Sequence, residues 1–336
     1  MTVYYFKDDM RNVTEFYYNV IIEALKQNGN KIKEISSCTF TSAIKLPRNS
    51  YFLATTLKEF IILYLTGHHN YIYWYQGIGP EEVYMMKESK IRYWIDSSIE
   101  RLSLKKVRYK IGVSKYLFNH FEEKYKISID PRSVFVMPCF NSVLNEKSFF
   151  SANKYEKNVF CYAGGMQPWQ GFEDIVELYK RIEDIRNDVF LKVFSKDKEK
   201  AKAIIEKACL KRYSIDCVPQ EQMDAELASC KFGFIIREDT VINNVATPTK
   251  LATYLGNGVI PIFSSTVWAF RDLTKHSDYL CCLDKDSHDV DKVVTFIEKT
   301  IKPESILGNY RKLFDNYYNR DKYISSMKSF LSNSLS

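Results

Sequence analysis

Short runs of β-branched and aromatic residues alternate with helix-period segments along this whole chain. That alternation restricts it to the α/β class. The N-terminal half offers strands at Thr2 to Phe6, Lys31 to Ser36, Tyr51 to Thr55, Tyr71 to Tyr75, Tyr109 to Val113 and Ser133 to Met137. Between them, apolar spacing predicts helices over Val13 to Gln27, Leu57 to Leu65 and Lys115 to Tyr125, with a long amphipathic region from Glu81 to Lys106. Residues 141–158 are polar and weakly periodic and read as a linker. The pattern then restarts, with strands at Val159 to Tyr162, Val189 to Phe194, Ser214 to Val218, Phe232 to Ile236, Val259 to Phe263 and Tyr279 to Leu283. Predicted helices fall at Gly171 to Arg181, Lys198 to Leu210, Gln222 to Ser229 and Val290 to Ile301, with two more in the last thirty or so residues. The expected organisation is two doubly wound, Rossmann-like α/β domains facing across a cleft: 1–140, then the linker 141–158, then 159–302. Helices in 303–336 are expected to pack back toward the N-terminal domain. The length of 336 residues agrees with two domains.

Composition narrows the partners without choosing one. The net charge of +7 suits an anion, whether nucleotide, anionic membrane surface or nucleic acid. Eight cysteines are scattered, and no Cys/His spacing fits a zinc site, so free thiols in a reducing cytoplasm are expected. The start MTVYYFKDDMR lacks a signal-peptide layout, and the apolar run from Tyr51 to Thr66 is broken by Lys58 and Glu59 and too short to span a bilayer. A cytoplasmic chain is expected, at most peripheral to a membrane.

The sharpest local unit runs from Lys231 to Ser265, KFGFIIREDTVINNVATPTKLATYLGNGVIPIFSS, and reads as strand, polar loop, helix, strand. Pro248 is expected at the first helical position, with Thr247 as its N-cap. A helix start with Lys250 beside it favours a phosphate-bearing ligand; an ordinarily capped surface helix is the alternative. A second loop, YAGGMQPWQG from Tyr162 to Gly171, also joins a strand to a helix, and Gly164 and Gly165 let a ligand approach the backbone. It lacks the GxGxxG and Walker spacings, and alone it equally suits a plain turn.

Together the two segments resemble the C-terminal half of the GT-B-fold retaining glycosyltransferases of family 4, also called group 1. The loop before that family's "KG" helix corresponds to YAGGMQPWQGFEDIVELY. Its P-x-K-L-x-E-Y-L-x-x-G element corresponds to TPTKLATYLGNG. Asp9 to Gly29 and Tyr109 to Tyr125 are similar to the family's first loop and its V-S-helix element. The resemblance implies transfer of a sugar from a nucleotide-diphosphate donor to a glycan or lipid-linked acceptor, with retention and without a metal or other cofactor. This is the chemistry of bacterial capsule, O-antigen or related surface polysaccharide synthesis. The resemblance gives the diphosphate Lys250 as a catalytic cation. Arg237, which ends the strand before the loop, is read as the second catalytic cation, compensating for bases the family usually carries. An exposed helix lysine and a loop arginine paired with Glu238 or Asp239 are the alternatives. The resemblance also assigns Gly164, Gly165, Gln170, Thr247, Pro248, Thr249 and Thr253 to the donor, with Val218 and Pro219 lining the base pocket. Asn243 and Asn244 would bond the donor sugar or ribose; turn residues are the alternative.

The N-terminal domain should hold the acceptor. Trp74, Gln76 and Gly77 end a strand and suit a sugar, although core aromatics plus a turn fit equally. Arg11 and Asn12 would reach the diphosphate across the cleft. Three donor-side positions depart from the family: its usual Arg and Lys fall at Met166 and Gln170, and its ribose Glu at Thr253. In the first loop, Arg11 and Asn12 replace its usual glycines. The donor-side departures motivate a rival reading, a degenerate subunit that binds without turnover. An epimerase fits less well, since only five histidines exist, and no nucleic-acid recognition motif appears. Residues 85–110 carry many cations along an amphipathic stretch, which suits a peripheral contact with anionic membrane or an ordinary solvated face. Asp284-Lys285-Asp286 reads as a turn and helix cap rather than a metal motif, and His120 as structural.

Overall fold

The computed structural model describes residues 2–7, 12–284 and 289–333, with side chains at 12, 13 and 333 outside the description. The chain divides into two compact units. The first takes 1–141, 245–247 and 319–336; the second takes 142–244 and 248–318.

In the first unit, β1 (Thr2–Phe6), α1 (Asn12–Gln27), β2 (Lys31–Ile35), α2 (Phe40–Ile44), β3 (Tyr51–Ala54) and α3 (Leu57–Leu65) lead to β4 (Tyr71–Tyr75). The helical hairpin α4 (Gly79–Lys87) and α5 (Lys90–Lys106) follows, then β5 (Tyr109–Gly112), α6 (Lys115–Tyr125) and β6 (Val134–Val136). The six strands form one sheet, ordered β2-β1-β3-β4-β5-β6, in which every pairing is parallel. The central strands β3, β4 and β5 are buried at every position, because helices cover both faces of a parallel sheet. The edge strand β2 carries Lys31, Lys33 and Glu34 and is largely exposed.

The expected amphipathic region from Glu81 to Lys106 is two helices rather than one. Glu88 adopts a left-handed conformation at φ 53° and ends α4, and Ser89 caps α5 by accepting from the Arg92 amide. The hairpin is tied down by charge. Lys124 of α6 bridges Glu81 at 2.7 Å and Glu100 at 3.1 Å, and the Tyr125 hydroxyl donates to Glu100 at 2.6 Å.

The second unit runs α7 (Glu146–Phe149), β7 (Asn158–Ala163), α8 (Phe172–Ile185), β8 (Val189–Phe194), α9 (Lys198–Lys207), β9 (Tyr213–Asp216), α10 (Met223–Leu227) and β10 (Phe232–Ile235). It continues through α11 (Val241–Val245), α12 (Lys250–Gly256), β11 (Ile260–Ser264), α13 (Trp268–Leu273), β12 (Cys281–Leu283), α14 (Asp289–Glu298) and α15 (Pro303–Asn316). The final helix, α16 (Arg320–Asn333), belongs to the first unit, where Asn28 at the end of α1 donates to the Lys328 carbonyl at 2.9 Å. The second sheet, β12-β11-β10-β7-β8-β9, is likewise parallel throughout.

The divisions differ from those read in the sequence at two places. Residues 142–158 are not a free linker: Phe149 is buried, the Asn145 amide bonds the Gly256 carbonyl, and Ser148 donates to Asn257. Of the C-terminal helices, α15 stays with the second unit, where the buried Tyr310 donates to the Tyr279 carbonyl.

Candidate functional site

The order of the second sheet reverses between β7 and β10, so the connections leave these neighbours on opposite faces and open a crevice at their carboxyl ends. The loops after β7 and β10 meet there. Gly171 has φ +62°, and a Cβ on it would collide with the Ile236 carbonyl, so the turn into α8 presses directly on the end of β10. Arg237 then follows. Its backbone amide donates to Ser264 Oγ at 2.8 Å, and its Nη1 donates to the Trp169 carbonyl at 2.5 Å and to Asn243 Oδ1 at 3.3 Å.

Lys250, the first residue of α12, reaches the same place. Its Nζ donates to Gln170 Oε1 at 2.6 Å and sits 4.1 Å from the centre of the Tyr162 ring. A Cβ on Gly164 would lie 2.5 Å from that ammonium, so the missing side chain is what leaves Lys250 room. The glycine loop is itself held. Tyr162 donates to the Gly165 carbonyl at 2.5 Å, the Met166 amide donates to Asp197 at 3.2 Å, and Lys200 donates to the Met166 carbonyl at 3.0 Å.

Two cations are therefore enclosed together, and among the described residues neither has a carboxylate within ion-pair distance. Arg237 is buried, and its Nε has no hydrogen-bond partner among them. Burial lowers its guanidinium to about 10. Burial, and after it the Arg237 charge, holds the Lys250 ammonium well below the ordinary lysine value. Unpaired desolvated charge is costly, and an anion placed between these groups removes the cost. No group of three or more His, Cys, Asp or Glu among the described residues is placed to hold a metal ion.

Several residues singled out in the sequence take other roles. Thr247 does not cap α12: the helix starts at Lys250 with Thr249 at the cap, Pro248 precedes it, and Thr247 Oγ1 accepts from the Cys139 amide within the first unit. Asn243 spends its amide on the Glu238 carbonyl and its oxygen on Arg237. Asn244 bonds Asp239 and the Thr266 carbonyl. Both asparagines are bonded within the loop and its surroundings. Arg237 itself pairs with neither Glu238 nor Asp239. Thr253 lies one turn inside α12 and donates to the Thr249 carbonyl at 3.3 Å. Val218 and Pro219 follow β9, two strands from β7 on the same edge, half-buried and exposed respectively. Arg11 lies outside the described residues, as do Lys285 and Asp286, and Asn12 is described only as the backbone start of α1. Nothing local marks Tyr162, Trp169 or Asp197 for these roles beyond lying in the glycine loop's segment or shortly after β8.

The first unit holds a cavity of about 700 Å³ at the carboxyl ends of β3 and β4. Thr55, Thr56, Gln76 and Gly77 line it from the strand ends, and Glu82, Arg92 and Asp96 from the α4–α5 hairpin. A Cβ on Gly77 would strike the Glu82 carboxyl, so that glycine gives Glu82 its place. Burial, then the neighbouring Glu81, raises Glu82 above the usual carboxylate range, which favours a form able to donate a hydrogen bond. Trp74 does not line this space. It is fully buried and stacked edge-on against Tyr17 at 4.7 Å, so it offers no face to a ligand.

No family model matches the chain, and no curated protein sequence matches it. Solved structures do. The sucrose-phosphate synthase of Thermosynechococcus elongatus superposes with a TM-score of 0.73 at 11% identity, over 99% of this chain and 98% of that one. Anabaena HepE, solved with UDP and glucose, superposes at 0.70 with 11% identity over 99% and 100%. A TarM variant from S. aureus, solved with fondaparinux, alpha-GlcNAc-glycerol and UDP, superposes at 0.60 with 10% identity over 84% of this chain, which spans 55% of that larger protein. With its two parallel six-stranded sheets, the chain has the GT-B fold found in these glycosyltransferases.

Proposed function

We propose that this chain is a glycosyltransferase that moves a sugar from a nucleotide-diphosphate donor to a glycan or lipid-linked glycan acceptor, with retention of configuration and without a metal. Its place would be in bacterial capsule, O-antigen or related surface polysaccharide synthesis. The observation that carries the reading is the pair Arg237 and Lys250, held beside Gly164 at the strand-order reversal with no carboxylate partner among the described residues. The UDP in HepE and in the TarM variant supports a nucleotide diphosphate as the anion.

In this reaction the departing diphosphate gains charge as the glycosidic bond breaks. Fixed cations in a low-dielectric site stabilise that charge more in the transition state than in the ground state. Arg237 is braced by Trp169 and Asn243, and Lys250 by Gln170 and the Tyr162 ring, so little reorganisation is needed when charge develops. A front-face displacement with retention needs no protein nucleophile, and none is assigned. The cavity lined by Thr55, Thr56, Gln76 and Glu82 supplies hydroxyl, amide and carboxyl partners for an acceptor sugar.

A panel of UDP-, GDP-, dTDP- and ADP-sugars tests the proposal. One of them should raise the melting temperature and be hydrolysed or transferred, and Lys250→Ala should remove both effects. One observation favours a second reading, a degenerate binding subunit. Where the resembled family carries a base, Gln170 is neutral and already occupies Lys250. Protection with no turnover, glycan acceptors included, would select that reading.

A further inference from the structure

The outer side of the α4–α5 hairpin carries the largest concentration of exposed apolar side chains among the described residues. Met86 is 52% exposed, Ile91 77%, Trp94 70% and Ile95 54%. Isolated exposed apolar residues are ordinary, but a contiguous group on one helical face marks a contact surface. At 3.6 residues per turn, Ile91, Trp94, Ile95 and Ser98 share one side of α5, and Arg101 and Lys105 continue it one to two turns later. Lys87 and Lys90 flank it at the hairpin turn. All four of these cations are exposed, and among the described residues none has a carboxylate partner. Of the nearby acids, Asp96 is paired with Arg92 at 3.3 Å, and the exposed Glu88 sits between Lys87 and Lys90 at the turn, so among the described residues four cations face one free carboxylate. The face is thus apolar at its centre and positive around it.

The hairpin is not loose. The Lys124 bridge to Glu81 and Glu100 and the inward packing of Leu104 fix its buried side, so the apolar face is held outward by the fold. We infer that this face docks on an anionic phospholipid surface, with Ile91, Trp94 and Ile95 entering the interfacial layer and Lys87, Lys90, Arg101 and Lys105 meeting lipid phosphates. Charge complementarity selects this occupant. A tryptophan flanked by aliphatic residues and ringed by cations matches a bilayer interface, where the indole sits at headgroup depth. No described helix is long and apolar enough to cross a membrane.

The placement also bears on the acceptor. Arg92, Asp96 and Ile99 line the 700 Å³ cavity from the adjoining stripe of α5, next to Ile91 and Ile95. A docked hairpin would hold that cavity at the membrane surface, where the sugar of a lipid-linked acceptor lies. This part rests on the function proposed above; the docking itself does not.

Sedimentation of the full chain with vesicles tests it. Vesicles of phosphatidylcholine containing phosphatidylglycerol should bind the protein, and pure phosphatidylcholine should not. High salt should release it. Trp94→Ser with Ile91→Ser, and separately Lys90→Glu with Arg101→Glu, should each weaken binding at least tenfold. Phe150→Ser, an exposed apolar change in the second unit, should leave it unchanged. Unaltered melting temperatures would confirm that the variants fold, and unaltered nucleotide protection would separate docking from the donor site. No binding, binding indifferent to lipid charge, or binding unmoved by both double variants would overturn the inference. So would light scattering that finds a dimer broken by Trp94→Ser, since the face would then hold a second copy of the chain.

Discussion

The two units are built from the same kind of parallel sheet, yet they treat an enclosed lysine in opposite ways. In the first, Lys124 is spent: Glu81 and Glu100 neutralise it, and α4, α5 and α6 are fastened together as a result. In the second, Lys250 lies beside another cation, Arg237, and its contacts among the described residues are an amide oxygen and an aromatic face. A neutralised charge explains itself as structure. An unneutralised one is costly to bury unless it loses its proton or a ligand completes it, and here it lies where sheets of this type place ligands.

The largest effect should come from breaking the spent lysine. Lys124→Ala strands two carboxylates, one of them deeply buried, and should cost about 3 kcal/mol of stability. Thermal unfolding would show it, with nucleotide affinity in the surviving folded protein unchanged. Arg237→Ala should do the reverse, weakening diphosphate binding by about 2–3 kcal/mol in calorimetry while costing the free protein less than Lys124→Ala does. Equal destabilisation by both would erase the contrast. Gly164→Ala is the next step down. Its Cβ would displace the Lys250 ammonium, and roughly 1–2 kcal/mol of affinity should go with it.

The smallest effect is a pH dependence whose sign follows from Lys250. Burial keeps its folded-state value well below the ordinary lysine value of 10.5, so between the two values the unfolded chain holds a proton that the free folded chain lacks. The contribution to free-protein stability therefore rises with pH across that window. A bound diphosphate favours the charged ammonium, so binding takes up a proton there, and affinity falls as pH rises. Titration in two buffers of different ionisation enthalpy reads that uptake directly. Proton release on binding would contradict the assignment.

Local pattern made much of this fold legible. The run YIYWY spans β4 and nothing more, and Leu57 to Leu65 is α3 with the boundaries its apolar spacing predicts. What failed depended on tertiary partners. Thr247 and Pro248 carry every local sign of a helix start, yet Thr247 is drawn to Cys139, more than a hundred residues away, and the helix begins at Lys250. Trp74 looks like a sugar platform beside Gly77, but a parallel central strand buries both its faces. The polar stretch before β7 reads as a linker because little in it except Phe149 reveals that it folds against Gly256 and Asn257. The cations at the site were legible as residues. Their lack of a carboxylate partner among the described residues was not, because Glu238 and Asp239 follow Arg237 directly in sequence, yet neither pairs with it and Asp239 accepts from Asn244.

The central claim is that Arg237 and Lys250 form a diphosphate site. Its most direct test is calorimetric titration of the preferred nucleoside diphosphate and its monophosphate into the wild-type chain and into Lys250→Ala. Wild type should prefer the diphosphate by at least about tenfold, roughly 1.4 kcal/mol, and Lys250→Ala should bind the two nearly alike. An undiminished preference in Lys250→Ala would contradict the account.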